Sequence, residues 1–245
     1  MKKGVCKLCK EIKFLCKKSH ILPKHTYKIL KENGYSLYID RETIKKEHGK
    51  KDYSGIFEAN ILCEDCEKIF NKFETYANNL IYLSRIKNTD KQIIDSKIII
   101  SGIGYDYKKI KLYFLSILWR SCISSKEFFN QVRLDDEDEE KIRKMLLDDS
   151  PGKEFEFPII LSLPDLIQGA GFDSQDVLMT QKPYKSEINN LDAYVFMITG
   201  QSIYFIIGES KLHTVRRDNL TIFLKNKEET LKQREQRKQM IKNML

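Results

Sequence analysis

Four of the six cysteines fall into two Cys-x-x-Cys pairs, Cys6-Lys7-Leu8-Cys9 and Cys63-Glu64-Asp65-Cys66. A two-residue gap lets both sulfurs of a pair turn toward one ion, and four thiolates are the full donor set of a tetrahedral structural zinc. Residues 10–62 separate the pairs, more than a simple zinc ribbon needs, so this insertion is expected to carry a function of its own. It holds His20 in the run Ser19-His20-Ile21-Leu22-Pro23-Lys24. An imidazole titrates near neutral pH and can take a proton from water. Pro23 fixes its own φ and pushes Leu22 out of the helical region, so His20 is expected at a strand end or in a loop.

A first Cys-x-x-Cys, an apolar segment with His and then Pro three residues on, Asn60 just before a second Cys-x-x-Cys, and a helix opening at its last Cys together resemble the HNH endonucleases with a treble-clef zinc site. The Ser-His-Ile-Leu-Pro-Lys form resembles a branch common among bacterial defence genes. The likeness covers residues 4–76. It implies a ββα-metal nuclease motif in which His20 is the general base, Asn60 orients it, and Glu67, directly after the last Cys, lies at the helix position that helps hold a catalytic metal. This sequence departs from the family at three points. Ser19 stands where an acid or another metal-holding side chain is usual, Glu67 replaces His or Asn, and Phe70 replaces a frequent Lys. A carboxylate at 67 suits Mg2+ or Mn2+, and Glu74, seven residues on and near the same helix face, is placed to assist it.

Charge is unevenly placed. Residues 1–50 hold 14 Lys and Arg against 5 Asp and Glu, whereas residues 51–245 hold 29 against 30. The whole excess therefore lies on the cysteine-bearing segment, and a polyanion is the natural partner, because each Lys brought to a phosphate releases a condensed counterion. Lys17, Lys18 and Lys24, which flank His20, are the expected phosphate contacts. DNA is the expected partner, though the charge argument does not separate DNA from RNA. The longest apolar run, Leu112 to Trp119, stops at Arg120, far short of the ~20 residues that span a bilayer, so no membrane is expected. With no apolar leader after the first lysines, the protein is expected in the cytoplasm, where thiols stay reduced and the paired cysteines read as metal ligands.

The elements that must position these groups follow from periodicity and caps. Tyr27 to Asn33 has helical spacing and stops at Asn33-Gly34, and residues 40–55 read as a charged loop at the rim of the site. A helix runs from Cys63 through Phe70, Phe73, Tyr76 and Ala77. Residues 84–96 are polar and mark a boundary between 1–85 and 86–245. Lys97 to Ile103 reads as a strand, and Tyr107 to Ile123 as a largely buried helix whose Trp119 and Cys122 serve packing. The acidic run from Asp135 to Glu140 suits the N-terminus of a further helix. Phe155 to Leu163 reads as an edge strand because of Pro158, and two strands flank Gly200-Gln201 as a hairpin. Lys225 to Leu245 reads as a polar helix. His25 and His48 are expected to add only surface charge, and His213, near Arg216-Arg217, belongs to no motif.

The fold class expected is α+β, an N-terminal HNH-like ββα-metal/treble-clef zinc domain (1–85) with a larger α+β C-terminal domain (86–245). The activity expected is metal-dependent DNA cleavage in anti-phage defence, with structural Zn2+ and catalytic Mg2+ or Mn2+, controlled by residues 86–245 or by a regulatory protein subunit. A non-catalytic zinc module that binds nucleic acid and recruits a partner is the alternative, favoured by Ser19. A purely structural zinc platform for protein contacts is the third.

Overall fold

The computed structural model describes residues 2–29, 36–39, 50–52, 55–79, 90–94, 97–101, 106–162, 180–188, 190–198, 201–209 and 221–223. The first cysteine pair lies at the tip of a hairpin, in which β1 (Lys2–Val5) runs antiparallel to β2 (Ile12–Leu15). Lys10 closes the turn with φ 63°, its N–H donating to Cys6 O at 2.9 Å. Next come β3 (Ser19–His20), α1 (Lys24–Ile29), β4 (Ser36–Ile39), β5 (Lys50–Asp52) and β6 (Phe57–Glu58). His20 lies opposite Phe57 across an antiparallel β3–β6 pair, as expected of a strand end ahead of Pro23. Gly55, at φ +80°, lets the chain enter β6 against Tyr27: a Cβ there would fall 2.4 Å from the Tyr27 ring. The Tyr27 hydroxyl accepts the Ile56 N–H at 2.9 Å and locks the approach.

Helix α2 (Glu64–Ala77) starts at Cys63, with Glu64, Asp65 and Glu67 in its first turn where acids complement the helix dipole. Its buried residues are Cys66, Phe70, Phe73 and Ala77, one apolar stripe at helical spacing. A strand, β7 (Asp90–Ile94), occupies part of the stretch expected to be polar linker and pairs with β8 (Lys97–Ser101). Helix α3 spans Tyr107–Ile123, the range its apolar periodicity predicts. Its N-cap Asp106 accepts the Lys109 N–H at 3.1 Å, while the Asp106 N–H donates to the Tyr76 hydroxyl at 2.6 Å, so the end of α2 seats the start of α3. Residues 110–121 are buried all round, as for a central core helix. After a 3-10 turn at Glu127–Phe129, Asp135 caps α4 (Asp136–Leu147) by accepting the Asp138 N–H at 2.8 Å, so the acidic run does open a helix.

The remaining strands are β9 (Ile159–Ser162), β10 (Thr180–Ile188), β11 (Leu191–Ile198), β12 (Gln201–Ile206) and β13 (Thr221–Phe223). Nine described strands form one mixed sheet in the order β5-β4-β10-β11-β12-β9-β13-β8-β7. Three expectations are corrected here. β9 is interior, between β12 and β13, because Pro158 precedes the strand and needs only to accept, taking the Ile206 N–H at 3.0 Å. Ile198 pairs with Gln201, so Gln201 belongs to β12 and the link between the strands is one residue earlier than expected. Residues 50–52, read as part of a rim loop, are a sheet strand paired with β4. The β10–β11 hairpin was missed, although Asn190, at φ 61°, is a turn residue that tolerates the left-handed region. The expected stop at Asn33-Gly34, residues 80–89 and the Lys225–Leu245 segment lie outside the described residues.

The architecture is α+β, and one hydrophobic cluster runs through it from Cys6 and Leu8 through Phe70, Trp119 and Phe129 to Phe205. The Phe70 and Trp119 rings lie 6.3 Å apart, joining α2 to α3. Phe70→Ala should therefore cost ~3–5 kcal/mol. Unfolding followed by fluorescence of Trp119, the one tryptophan, should coincide with unfolding followed by far-UV circular dichroism. Two separated transitions would contradict a shared core.

Candidate functional site

The hairpin tip and the start of α2 bring Cys6, Cys9, Cys63 and Cys66 together, with all four Sγ atoms within 4.8 Å of one another. A tetrahedron with Zn–S bonds of ~2.3 Å has sulfurs ~3.8 Å apart, so the group fits zinc. Among the described residues no other group of three or more His, Cys, Asp or Glu is so arranged. Backbone bonds lace the two halves: Lys7 N–H to Ile61 O (2.9 Å), Cys16 N–H to Leu62 O (2.8 Å) and Asn60 N–H to Cys16 O (2.9 Å). The Cys63 N–H donates to Cys6 Sγ at 3.4 Å, as amides do toward thiolates. The Cys66 S–H beside it pulls the Cys6 thiol down to about 4, and the Cys66 thiol, holding the shared proton, is pushed far up. Burial pushes the Cys9 thiol up as well, so only a cation among the sulfurs would let all four ionise together.

The tip is also held from behind. Leu8 is fully buried, its carbonyl accepts from Arg143 Nη1 of α4, and Lys7 Nζ donates to Ile123 O at the end of α3 (2.9 Å). Glu58 of β6 accepts from Ser124 Oγ (2.7 Å) and from Ser125 N–H (3.0 Å) and Oγ (2.8 Å). Burial opposes its charge, but these donors prevail and hold its carboxyl below the usual range.

A second polar cluster adjoins the cysteines. His20 is half-buried, its ring centroid 6.4 Å from that of Tyr27 and 6.2 Å from that of Phe57. Ser19 is fully buried and faces Glu67, near enough for its hydroxyl to favour the charged carboxylate. Burial nevertheless pushes the Glu67 carboxyl up, against the pull of Ser19 and of the Arg120 charge. Ser19 Oγ and Glu67 Oε1 are buried without completing a hydrogen bond to each other or to any other protein group. Such groups cost free energy unless something satisfies them, and two oxygens, one anionic, suit a water or a hard cation.

Arg120, 1% exposed, holds this cluster to α3. Nη1 donates to His20 O (2.7 Å), Nη2 meets Glu74 Oε1 (2.9 Å), and Nε and Nη2 bond to Ser116 O and Oγ (3.2 and 3.1 Å). Its guanidinium also lies 4.9 Å over the Phe70 ring. Glu74, expected beside a metal, is thus ion-paired to a buried cation. Asn60 is exposed at φ 61°. Lys17, Lys18 and Lys24 are exposed, Lys18 with Nζ 4.7 Å over Phe57. His25, expected at the surface, is buried because that side of α1 faces α3: its Nε2 is 3.0 Å from Tyr113 Oη and the rings stack at 5.7 Å. His48 and His213 lie outside the described residues. Trp119 is buried, as expected, and donates to Glu139 Oε1 at 2.5 Å. The residue that sequence reasoning missed is Arg120, whose signal was a cation closing an apolar helical run.

Comparison of the chain with protein-family models, curated proteins and solved structures finds no match.

Purified protein should carry about one zinc per chain by elemental analysis, and Cys63→Ser should lower both zinc content and thermal midpoint, since structural zinc is folding free energy. Arg120→Met strands the Glu74 charge and should cost ~3–5 kcal/mol in urea unfolding, whereas adding Glu74→Leu should recover much of that loss. An Arg120→Met protein as stable as wild type would mean that the pair contributes nothing.

Proposed function

We propose that residues 2–77 form an HNH-like treble-clef unit and that the protein is a metal-dependent endonuclease acting on DNA. One observation carries the reading: beside the four cysteines, β3 bears His20 next in sequence to Ser19, whose buried Oγ, like Glu67 Oε1, completes no hydrogen bond. His20 takes the proton of the attacking water. The Tyr27 and Phe57 rings flank the imidazole, and Arg120 grips the His20 carbonyl, which holds the strand end steady. Glu67 and Ser19 would hold a Mg2+ or Mn2+ ion, which supplies charge neutralisation at the phosphoryl oxygens. Glu74 keeps Arg120 in place instead of binding that ion. Exposed Lys17, Lys18 and Lys24 meet the phosphates. A role as a bacterial defence effector, with α3 and the sheet as the controlling part, follows from the family likeness.

The competing reading is a zinc module that binds nucleic acid without cutting it, favoured by the neutral Ser19 and by the engagement of Glu74 with Arg120. Plasmid cleavage with Mg2+, Mn2+ and Ni2+ separates the two. Wild type should nick DNA, His20→Ala should lower the rate ~10²–10⁴-fold, and Glu67→Ala should abolish cleavage with zinc content unchanged. Salt-sensitive binding with no strand breakage in any metal would select the non-catalytic module.

A further inference from the structure

Among the described residues, three large apolar side chains stand clear of the surface: Val5 (55% exposed), Ile12 (67%) and Phe14 (61%). All three lie on one face of the β1–β2 hairpin. Val5 is directly opposite Ile12 and Lys3 directly opposite Phe14, and alternate residues of a strand share a face. The other face turns inward through buried Leu15, which packs against Gly4. The outward face therefore reads Lys3, Val5, Ile12, Phe14. Residues 1–24 hold eight lysines against a single acid, Glu11; Lys3 lies on this face and Lys10, Lys17 and Lys18 are exposed, whereas Lys7 donates to Ile123 O and Lys13 pairs with Glu11 and Asp65.

We propose that this face binds nucleic acid whose bases are unstacked, Phe14 stacking on a base, Val5 and Ile12 contacting its edge and sugar, and Lys3 with its neighbours meeting the phosphates. The proposal rests on the nucleic-acid partner proposed above, and not on cleavage. Charge selects the occupant. A second copy would bring the same lysines face to face, and like charges repel. A protein partner needs ~800 Å² per side with lysine depleted at its centre, which a ribbon of two four-residue strands does not offer. Aromatic stacking among lysines is how single strands are gripped, whereas the π-faces of a duplex are already stacked. Phe14 precedes His20 by six residues, at most ~21 Å of chain, so the two lie within the span of one bound strand.

The test is fluorescence anisotropy of zinc-loaded protein, without added divalent ions, against oligothymidine and duplex probes of about 20 nucleotides per strand. Phe14→Ala should weaken oligothymidine binding roughly 5- to 150-fold, Phe14→Trp should retain it, and duplex affinity should change less than about twofold. Lys3→Ala should instead lower the salt slope by ~0.7, whereas Phe14→Ala should leave it unchanged because a phenyl ring releases no counterion. Ile12→Thr, which keeps strand propensity, should weaken oligothymidine binding in the same direction, and unchanged zinc content verifies that the hairpin is intact in each variant. Oligothymidine affinity of Phe14→Ala within about twofold of wild type, or equal loss on duplex, overturns the proposal. So does stronger Phe14 dependence toward an acidic polypeptide, which would assign the face to a protein. Wild type binding neither nucleic acid would overturn the nucleic-acid reading of the whole site as well, whereas binding that ignores Phe14 overturns only this face.

Discussion

Four sulfurs gathered within 4.8 Å tie a hairpin tip to the first turn of a helix more than fifty residues later. Closing so long a loop costs chain entropy, and crowding ionisable thiols together adds repulsion, so a cation shared among them would make the junction favourable. Once it is made, the rest of the N-terminal segment has little freedom. Cys63 sets where α2 begins, the helical period turns Phe70 and Phe73 toward α3, and the same period leaves Glu67 facing Ser19. The β3–β6 pair, with His20, is carried on this frame by the backbone bonds around Cys16, Asn60 and Leu62.

The junction reaches the other half of the molecule through buried cations. Arg120 joins α3 to the His20 carbonyl and to Glu74, and Arg143 of α4 reaches the Leu8 carbonyl between the first two cysteines. Taking a guanidinium out of water is expensive, so such a group contributes less to net stability than to selecting one arrangement of its neighbours. Here that arrangement includes the backbone of the histidine on which the proposed chemistry depends. A change in α3 at Arg120 would be felt directly at the His20 carbonyl and at Glu74.

The surface divides along the same line. The hairpin and the approach to His20 carry nearly all the unbalanced positive charge, while residues 51–245 are close to neutral. An anionic polymer drawn by the lysines would arrive where the exposed apolar side chains and His20 lie, so the positive charge and the candidate chemistry share one short stretch of chain.

The local signals were legible in the sequence. Cysteine spacing predicted the four-sulfur group, Pro23 predicted His20 at a strand end, apolar periodicity predicted α3, and the acidic run from Asp135 predicted the start of α4. Each depends on residues a few positions apart, where backbone sterics and helical geometry suffice. What only the tertiary structure decided depends on distant partners. Pro158 suggested an edge strand, yet sheet order put β9 inside. His25 looked like a surface residue until Tyr113, 88 positions away, covered it. Glu74 read as an assistant to a catalytic metal until it met Arg120, which also reaches His20 across 100 positions. A single sequence records which side chains are charged or apolar at each position, but not which of many compatible partners the packed core brings to them, because that choice is made by the burial of the whole chain at once.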